Sequence, residues 1–128
     1  MSETFKPQNL KTPDWRTTYI LKPDYLGLIQ SIKGFGILQP IVTMEDGTII
    51  DGYARWLVAH ELELQEVSVE RLQCSQAEAI LLHLQMNRCR GSIVPHRMSQ
   101  AIRTLLKVMG DREIMDALNM SEDEFDIF

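Results

Sequence analysis

From Ile41 to Ala59 the chain leaves itself few ways to fold. Two β-rich runs, Ile41-Val42-Thr43 and Thr48-Ile49-Ile50, flank Glu45-Asp46-Gly47. Asp-Gly between apolar runs is a hairpin signal, because it tolerates the positive φ that two-residue hairpin turns demand. The return strand delivers the chain to Asp51-Gly52, and Tyr53-Ala54-Arg55-Trp56-Leu57-Val58-Ala59 reads as a helix ending near Leu62. A hairpin feeding a helix through a glycine requires strands and helices in one small unit. It also sets a helix N-terminus at the end of a strand. Such a terminus carries backbone N–H groups that the helix itself leaves unpaired, and a partial positive charge. An arginine in the first turn adds a planar fork of donors. These are the parts of a phosphate site, although an ordinary strand-to-helix turn uses the same residues.

The flanks extend the pattern. Residues 1–14 are polar, carry Pro7 and Pro13, and read as a flexible arm. Thr17 to Leu21 is β-rich and reads as a first strand. A helix follows Pro23 and Asp24, with Leu26, Ile29 and Ile32 at three-residue steps, and Gly34 and Gly36 ending it. Val67-Ser68-Val69-Glu70-Arg71-Leu72 alternates as a half-buried strand does. Ser75-Gln76-Ala77-Glu78 is a capping box opening a helix that runs through Met86. Beyond it the chain reads as all helix. Arg97 to Met109 places Met98, Ala101, Ile102, Leu105 and Val108 on one face, Asp111 caps a short helix through Leu118, and Ser121 to Glu124 is a second capping box. The expected class is α+β: a small mixed sheet with helices over 15–91, then a helical subdomain over 92–128.

Composition narrows the function classes. A formal charge of -5 over 128 residues argues against a chain dedicated to nucleic acid, though not against a local basic patch. Two cysteines, with no C-x-x-C, suit a reducing compartment and give no zinc signature. No run reaches the roughly 18 apolar residues of a membrane span, and the first residues lack a secretory pattern. The expectation is a cytoplasmic protein without a membrane partner. His60 and His83 form no metal-ligand spacing, and no metal site is expected.

Three polar clusters interrupt the apolar pattern: Gly36-Ile37-Leu38-Gln39-Pro40, Asp51-Gly52-Tyr53-Ala54-Arg55, and Asn87-Arg88-Cys89-Arg90. Singly, each has a structural use, as a helix cap, a turn, and cations at a helix C-terminus. Together, in this order, they resemble the N-terminal domain of ParB in the ParB/sulfiredoxin superfamily. That family shows a Ser-Ile helix, then Gly-Val-Ile-Gln-Pro, a hairpin into Gly-Glu-Arg-Arg, and later Glu-Asn-x-x-Arg. Here Ser31-Ile32 and Gly36-Ile37-Leu38-Gln39-Pro40 carry the first part. The resemblance spans roughly residues 17–110 and extends to stand-alone ParB-like proteins of phages and mobile elements, many described as nuclease-like.

The resemblance implies a nucleotide pocket. Gln39 and Pro40 would line it, Gly52-Tyr53-Ala54-Arg55 would cradle the phosphates, and Asn87, Arg88 and Arg90 would form the third wall. The ligand would be a nucleoside triphosphate or diphosphate (CTP, ATP or ADP), with or without Mg²⁺. Two departures bear on chemistry. Tyr53 and Ala54 replace the family's Glu and first Arg, and the sulfiredoxin cysteine would fall there, which excludes peroxiredoxin repair. Met86 replaces the Glu implicated in metal-dependent hydrolysis. The reading is a nucleotide-dependent switch or weak NTPase in a DNA-related process. Alternatives are a DNA-binding protein or nuclease using Arg88, Arg90, Arg97 and Arg103, a small-metabolite kinase, and a degenerate interaction module. Asp51 is the first choice of general base, ahead of Asp24 and Glu45, with a turn-stabilising role as its alternative; His96 is a further base or a helix-start residue. Residues 111–128 resemble the start of a helix-turn-helix whose second helix is acidic, which opposes DNA contact. The helical segment 97–128 would instead serve a homodimer or a protein partner.

Overall fold

A computed structural model describes residues 3–17, 22–37, 39–88 and 95–127. It resolves into two compact units, one of residues 1–13 and 20–74, the other of residues 14–19 and 75–128. The division falls after Cys74, whereas the sequence placed it at 91.

The first unit holds a four-stranded sheet in the order β1-β4-β2-β3. Its strands are β1 (Glu3–Phe5), β2 (Ile41–Met44), β3 (Ile49–Asp51) and β4 (Val67–Leu72). β2 and β3 form the expected antiparallel hairpin, and β2 runs parallel to β4. Helix α1 (Lys22–Phe35) precedes the hairpin, and α2 (Tyr53–Glu61) follows it. Ile41, Ile49, Ala59, Val67 and Val69 close one core cluster, while Val58 turns to Ile29 and Ile32 of α1. Adjacent residues of α2 thus serve two clusters. Burying each large aliphatic side chain is worth about 1.5–3 kcal/mol.

Three expectations change here. The hairpin turn spans three residues, not two. Gly47 N–H donates to Met44 O at 3.1 Å, and only Gly47 takes a positive φ, +91°. That is a type I turn closed by a left-handed glycine, which spares Asp46 the positive φ. Leu26 lies outside the core at 52% exposure. Steps of three residues fall 60° short of a full turn, so two steps carry Ile32 about 120° from Leu26. The largest change is the N-terminal segment. Glu3–Phe5 pairs antiparallel with β4 at one sheet edge, a 3₁₀ turn at Pro7–Asn9 follows, and Lys11 bridges Thr48 beside β3. Trp56 of α2 donates its indole N–H to Pro7 O at 2.7 Å, and Leu10 is buried. Residues 3–11 therefore belt the unit from one edge of the sheet to the other, where a polar arm was expected. Of the strand expected at Thr17 to Leu21, residues 18–21 lie outside the described residues.

The second unit is helical: α3 (Gln76–Arg88), α4 (Pro95–Leu105), α5 (Asp111–Leu118) and α6 (Glu122–Ile127). Ser75 and Glu78 make both bonds of the capping box that opens α3, at 2.9 and 3.2 Å. Ile80, Leu84, Met98, Ile102, Leu105 and Ile114 are fully buried. Helix α4 ends at Leu105, so Val108, expected on its apolar face, is 70% exposed. Asp111 is the first residue of α5, and Gly110 holds the cap position, its N–H donating to Glu113. Thr17 and Trp15 pack on His83 of α3, where Thr17 N–H donates to His83 Nε2 at 3.0 Å. Among the described residues no helix is long and apolar enough to cross a membrane.

Candidate phosphate-binding turn

The first unit brings two of the three polar clusters together. β3 ends at Asp51, Gly52 turns the chain with φ at +103°, and α2 begins at Tyr53. Only glycine holds that φ without strain. Space demands glycine as well. A Cβ at Gly52 would stand 2.9 Å from Arg55 Nη2 and 3.2 Å from Ile41 Cγ1. The Arg55 guanidinium is therefore folded back over the turn and lies against the Gly52 backbone. The first helical bond, Trp56 N–H to Gly52 O at 2.9 Å, shows that α2 starts at once. The N–H groups of its opening turn are those a helix does not satisfy internally.

Side chains on two sides, Gln39 and Asp51, hold the guanidinium. Nη1 donates to Gln39 Oε1 at 2.7 Å, and Nη2 donates to Asp51 Oδ2 at 3.3 Å. Asp51 is 6% exposed and Arg55 17%, so this ion pair is largely shielded from water. Gln39, by contrast, is exposed. The inner edge of the fork rests on a buried carboxylate and the outer edge on a neutral amide facing solvent. Pro40 is half-buried between Gln39 and β2, and Tyr53 and Ala54 are half-buried in the first turn of α2. The Tyr53 and Trp56 rings sit 5.9 Å apart along α2, and those of Trp56 and His60 5.4 Å. Asp24 lies exposed in the first turn of α1, and Glu45 exposed in the hairpin turn.

The third cluster stands in the second unit. Asn87 is buried, and its Nδ2 donates to His83 O at 2.7 Å, so its amide serves that unit's interior. Arg88 forks onto Glu124 of α6 at 3.0 and 3.1 Å. Arg97 donates to Arg16 O at 3.3 Å, and Arg103 is exposed on α4. Arg90 lies outside the described residues. His96 is exposed at the start of α4, 3.4 Å from Gln100 Nε2. The resemblance put Gln39 and Arg55 in one pocket without foreseeing that they bond to each other. Their direct bond spans 16 positions and leaves no local signal.

The helix N-terminus and the Arg55 guanidinium are groups that suit an anion such as phosphate. A phosphate oxygen could take the outer edge of Arg55 if Gln39 gave way, with the α2 N-terminus beside it. No metal-holding group of three or more His, Cys, Asp or Glu occurs among the described residues.

Comparison with known proteins agrees with this architecture. The chain resembles the structure of the pNOB8-like ParB N-domain, with a TM-score of 0.66 at 17% identity, over 98% of this chain and 52% of that one. It also resembles the C-terminally truncated chromosome-partitioning protein ParB from Caulobacter crescentus complexed with CTP-gamma-S, with a TM-score of 0.62 at 19% identity, over 98% of this chain and 74% of that one. Sulfiredoxin from Arabidopsis thaliana matches with a TM-score of 0.53 at 24% identity, over 66% of this chain and 97% of that one. The chain spans about half the length of the pNOB8-like domains it matches. No curated protein matches it. These likenesses establish a ParB/sulfiredoxin-like fold. The ParB N-terminal domain model matches residues 5–88, from the belt through the last turn of α3. On that match the chain belongs to the ParB N-terminal domain family.

Proposed function

We propose that this chain binds a nucleotide, CTP or ATP/ADP, with its phosphates on the Gly52–Arg55 turn, and acts as a nucleotide-dependent switch in a DNA-related process. The observation that carries the reading is the Arg55 guanidinium packed on Gly52 at the N-terminus of α2, with Gln39 on its outer edge. A switch follows from the chemistry: phosphate and Gln39 compete for the same N–H, so occupancy moves the segment between α1 and β2. The Caulobacter relatives support the nucleotide and the DNA setting, one solved with CTP-gamma-S and another with the centromeric parS site.

In this reading Asp51 positions Arg55. Its carboxylate is paired with a guanidinium, which suits holding that group better than accepting a proton. Met86 stands where the family's hydrolytic Glu would be, so binding is expected to exceed turnover.

Calorimetric titration with CTP, ATP and ADP, with and without Mg²⁺, tests the reading. Saturable binding is expected for at least one nucleotide. Arg55→Gln should weaken it by at least about tenfold, the scale of one charge-assisted hydrogen bond. A folded protein that releases no binding heat with any of the three, or an Arg55→Gln variant of unchanged affinity, contradicts it.

A further inference from the structure

The end of α2 remote from the nucleotide turn closes in a way its sequence does not favour. Leu64 N–H donates to Ala59 O at 3.0 Å, and Glu63 N–H donates to His60 O at 3.3 Å. These are the paired bonds of a helix stop that turns on one left-handed residue, where glycine is usual. Here Glu63 holds that position, with φ at +53°. Asn119 is the other non-glycine residue with positive φ among the described residues. Asparagine tolerates that conformation, and glutamate does so at a cost. The chain thus keeps a carboxylate where its own backbone opposes one.

Glu63 also lines a cavity of about 760 Å³, formed by the belt, the end of α2 and the loop leading to β4. That volume falls in the range of small-molecule sites, about 300–1,000 Å³. Its buried and half-buried lining is apolar: Pro7, Ala59 and Leu64. Its exposed lining is polar. Glu63 and Glu66 bring carboxylates, and Gln8 and Gln65 bring amides, with His60 beside them and Lys6 as the one ammonium. The carbonyl end of α2 adds partial negative charge. Acceptors and negative charge outweigh cationic donors, so an anion would have little but Lys6 in its favour. The complement is a ligand with N–H donors, positive charge at more than one point, and methylenes between them.

We propose that this cavity binds a linear polyamine, with ammonium groups on Glu63 and Glu66 and methylenes on Pro7, Ala59 and Leu64. Glu63 is kept in its left-handed position for that contact. The site lies within the first unit, beyond the nine residues of α2 from Gly52, about 13 Å of helix. It stands independently of the Gly52–Arg55 reading.

Amide NMR on the full chain tests this, with spermidine titrated at about 0.1 M salt, where remote charges are screened. Saturable shifts are expected on residues 63–66. They are also expected on the Trp56 indole N–H, which bonds to Pro7 O beside the cavity. Shifts gathered instead on the acidic helices of 111–127, or reproduced in full by Mg²⁺ at equal charge, overturn the proposal. Glu63→Gly removes the carboxylate and the backbone strain together. Spermidine affinity should fall about threefold to fivefold, the scale of one exposed ion pair, while the urea midpoint rises. Asp116→Asn, which removes an exposed carboxylate from α5, should leave the affinity unchanged. Unchanged affinity in Glu63→Gly, a midpoint no higher than the parent's, or an equal loss in Asp116→Asn overturns it. Glu66→Gln leaves the left-handed residue alone and should lose affinity on the same scale; unchanged affinity there overturns it equally.

Discussion

At the scale of single residues, Gly52 meets two independent demands, a positive φ and a missing Cβ. Gly52→Ala should therefore cost more than a backbone term alone. The left-handed conformation costs a non-glycine residue on the order of 1–2 kcal/mol, and the methyl would meet Arg55 Nη2 at 2.9 Å. The expected outcome is a loss of at least that much unfolding free energy in urea, together with displacement of Arg55 and loss of nucleotide binding. A variant as stable as the parent would show that the turn tolerates a side chain. Much of this was legible in the sequence, because Asp51-Gly52 and Arg55 are adjacent and local chemistry fixes them. The partnership with Gln39 was not, since it depends on how α1 delivers the chain to β2. Glu124 misled for a similar reason. Its spacing from Ser121 promised a local bond, and a distant arginine took the carboxylate instead.

Among the elements, the β2–β3 hairpin and helices α2 and α3 followed their sequence signals, whereas α1 left Leu26 exposed and α4 stopped at Leu105. Helix α3 is the clearest case. Bonds from the Ser75 backbone N–H, and then its side chain, hold the Glu78 carboxyl below the ordinary glutamate range. A depressed folded value means the contribution is complete above the unfolded pKa and fades as pH falls through the folded one. Glu78→Gln should accordingly lower the denaturation midpoint at neutral pH, with the difference from the parent shrinking as the pH falls below about 4.5. Urea titrations from pH 7 to pH 3 measure this; a constant difference across that range would deny the carboxylate its capping role. The belt of residues 3–11 escaped sequence reading for a physical reason. A three-residue edge strand has no room for alternation, and prolines fit an edge as well as a tail. Its hold on the unit comes from Trp56, Leu10 and backbone bonds of Lys11, all to partners far along the chain.

Across the whole molecule, two compact units share the family's features unequally. The mixed sheet, the hairpin and the Gly52–Arg55 turn belong to the first, and the Asn87–Arg88 cluster to the helical second. The family resemblance implied one three-walled pocket. The two clusters that meet at Arg55 lie in the first unit, and Asn87 donates to His83 O within the second. The central claim is therefore local: a nucleotide's phosphates sit on the first turn of α2. Backbone amide NMR during titration with CTP, ATP or ADP tests it most directly. The account predicts that the largest shifts fall on Gly52, Tyr53, Ala54 and Arg55, with the Gln39 side-chain amide moving as it leaves Arg55. Saturation with those signals unmoved, and the shifts gathered elsewhere, would contradict it.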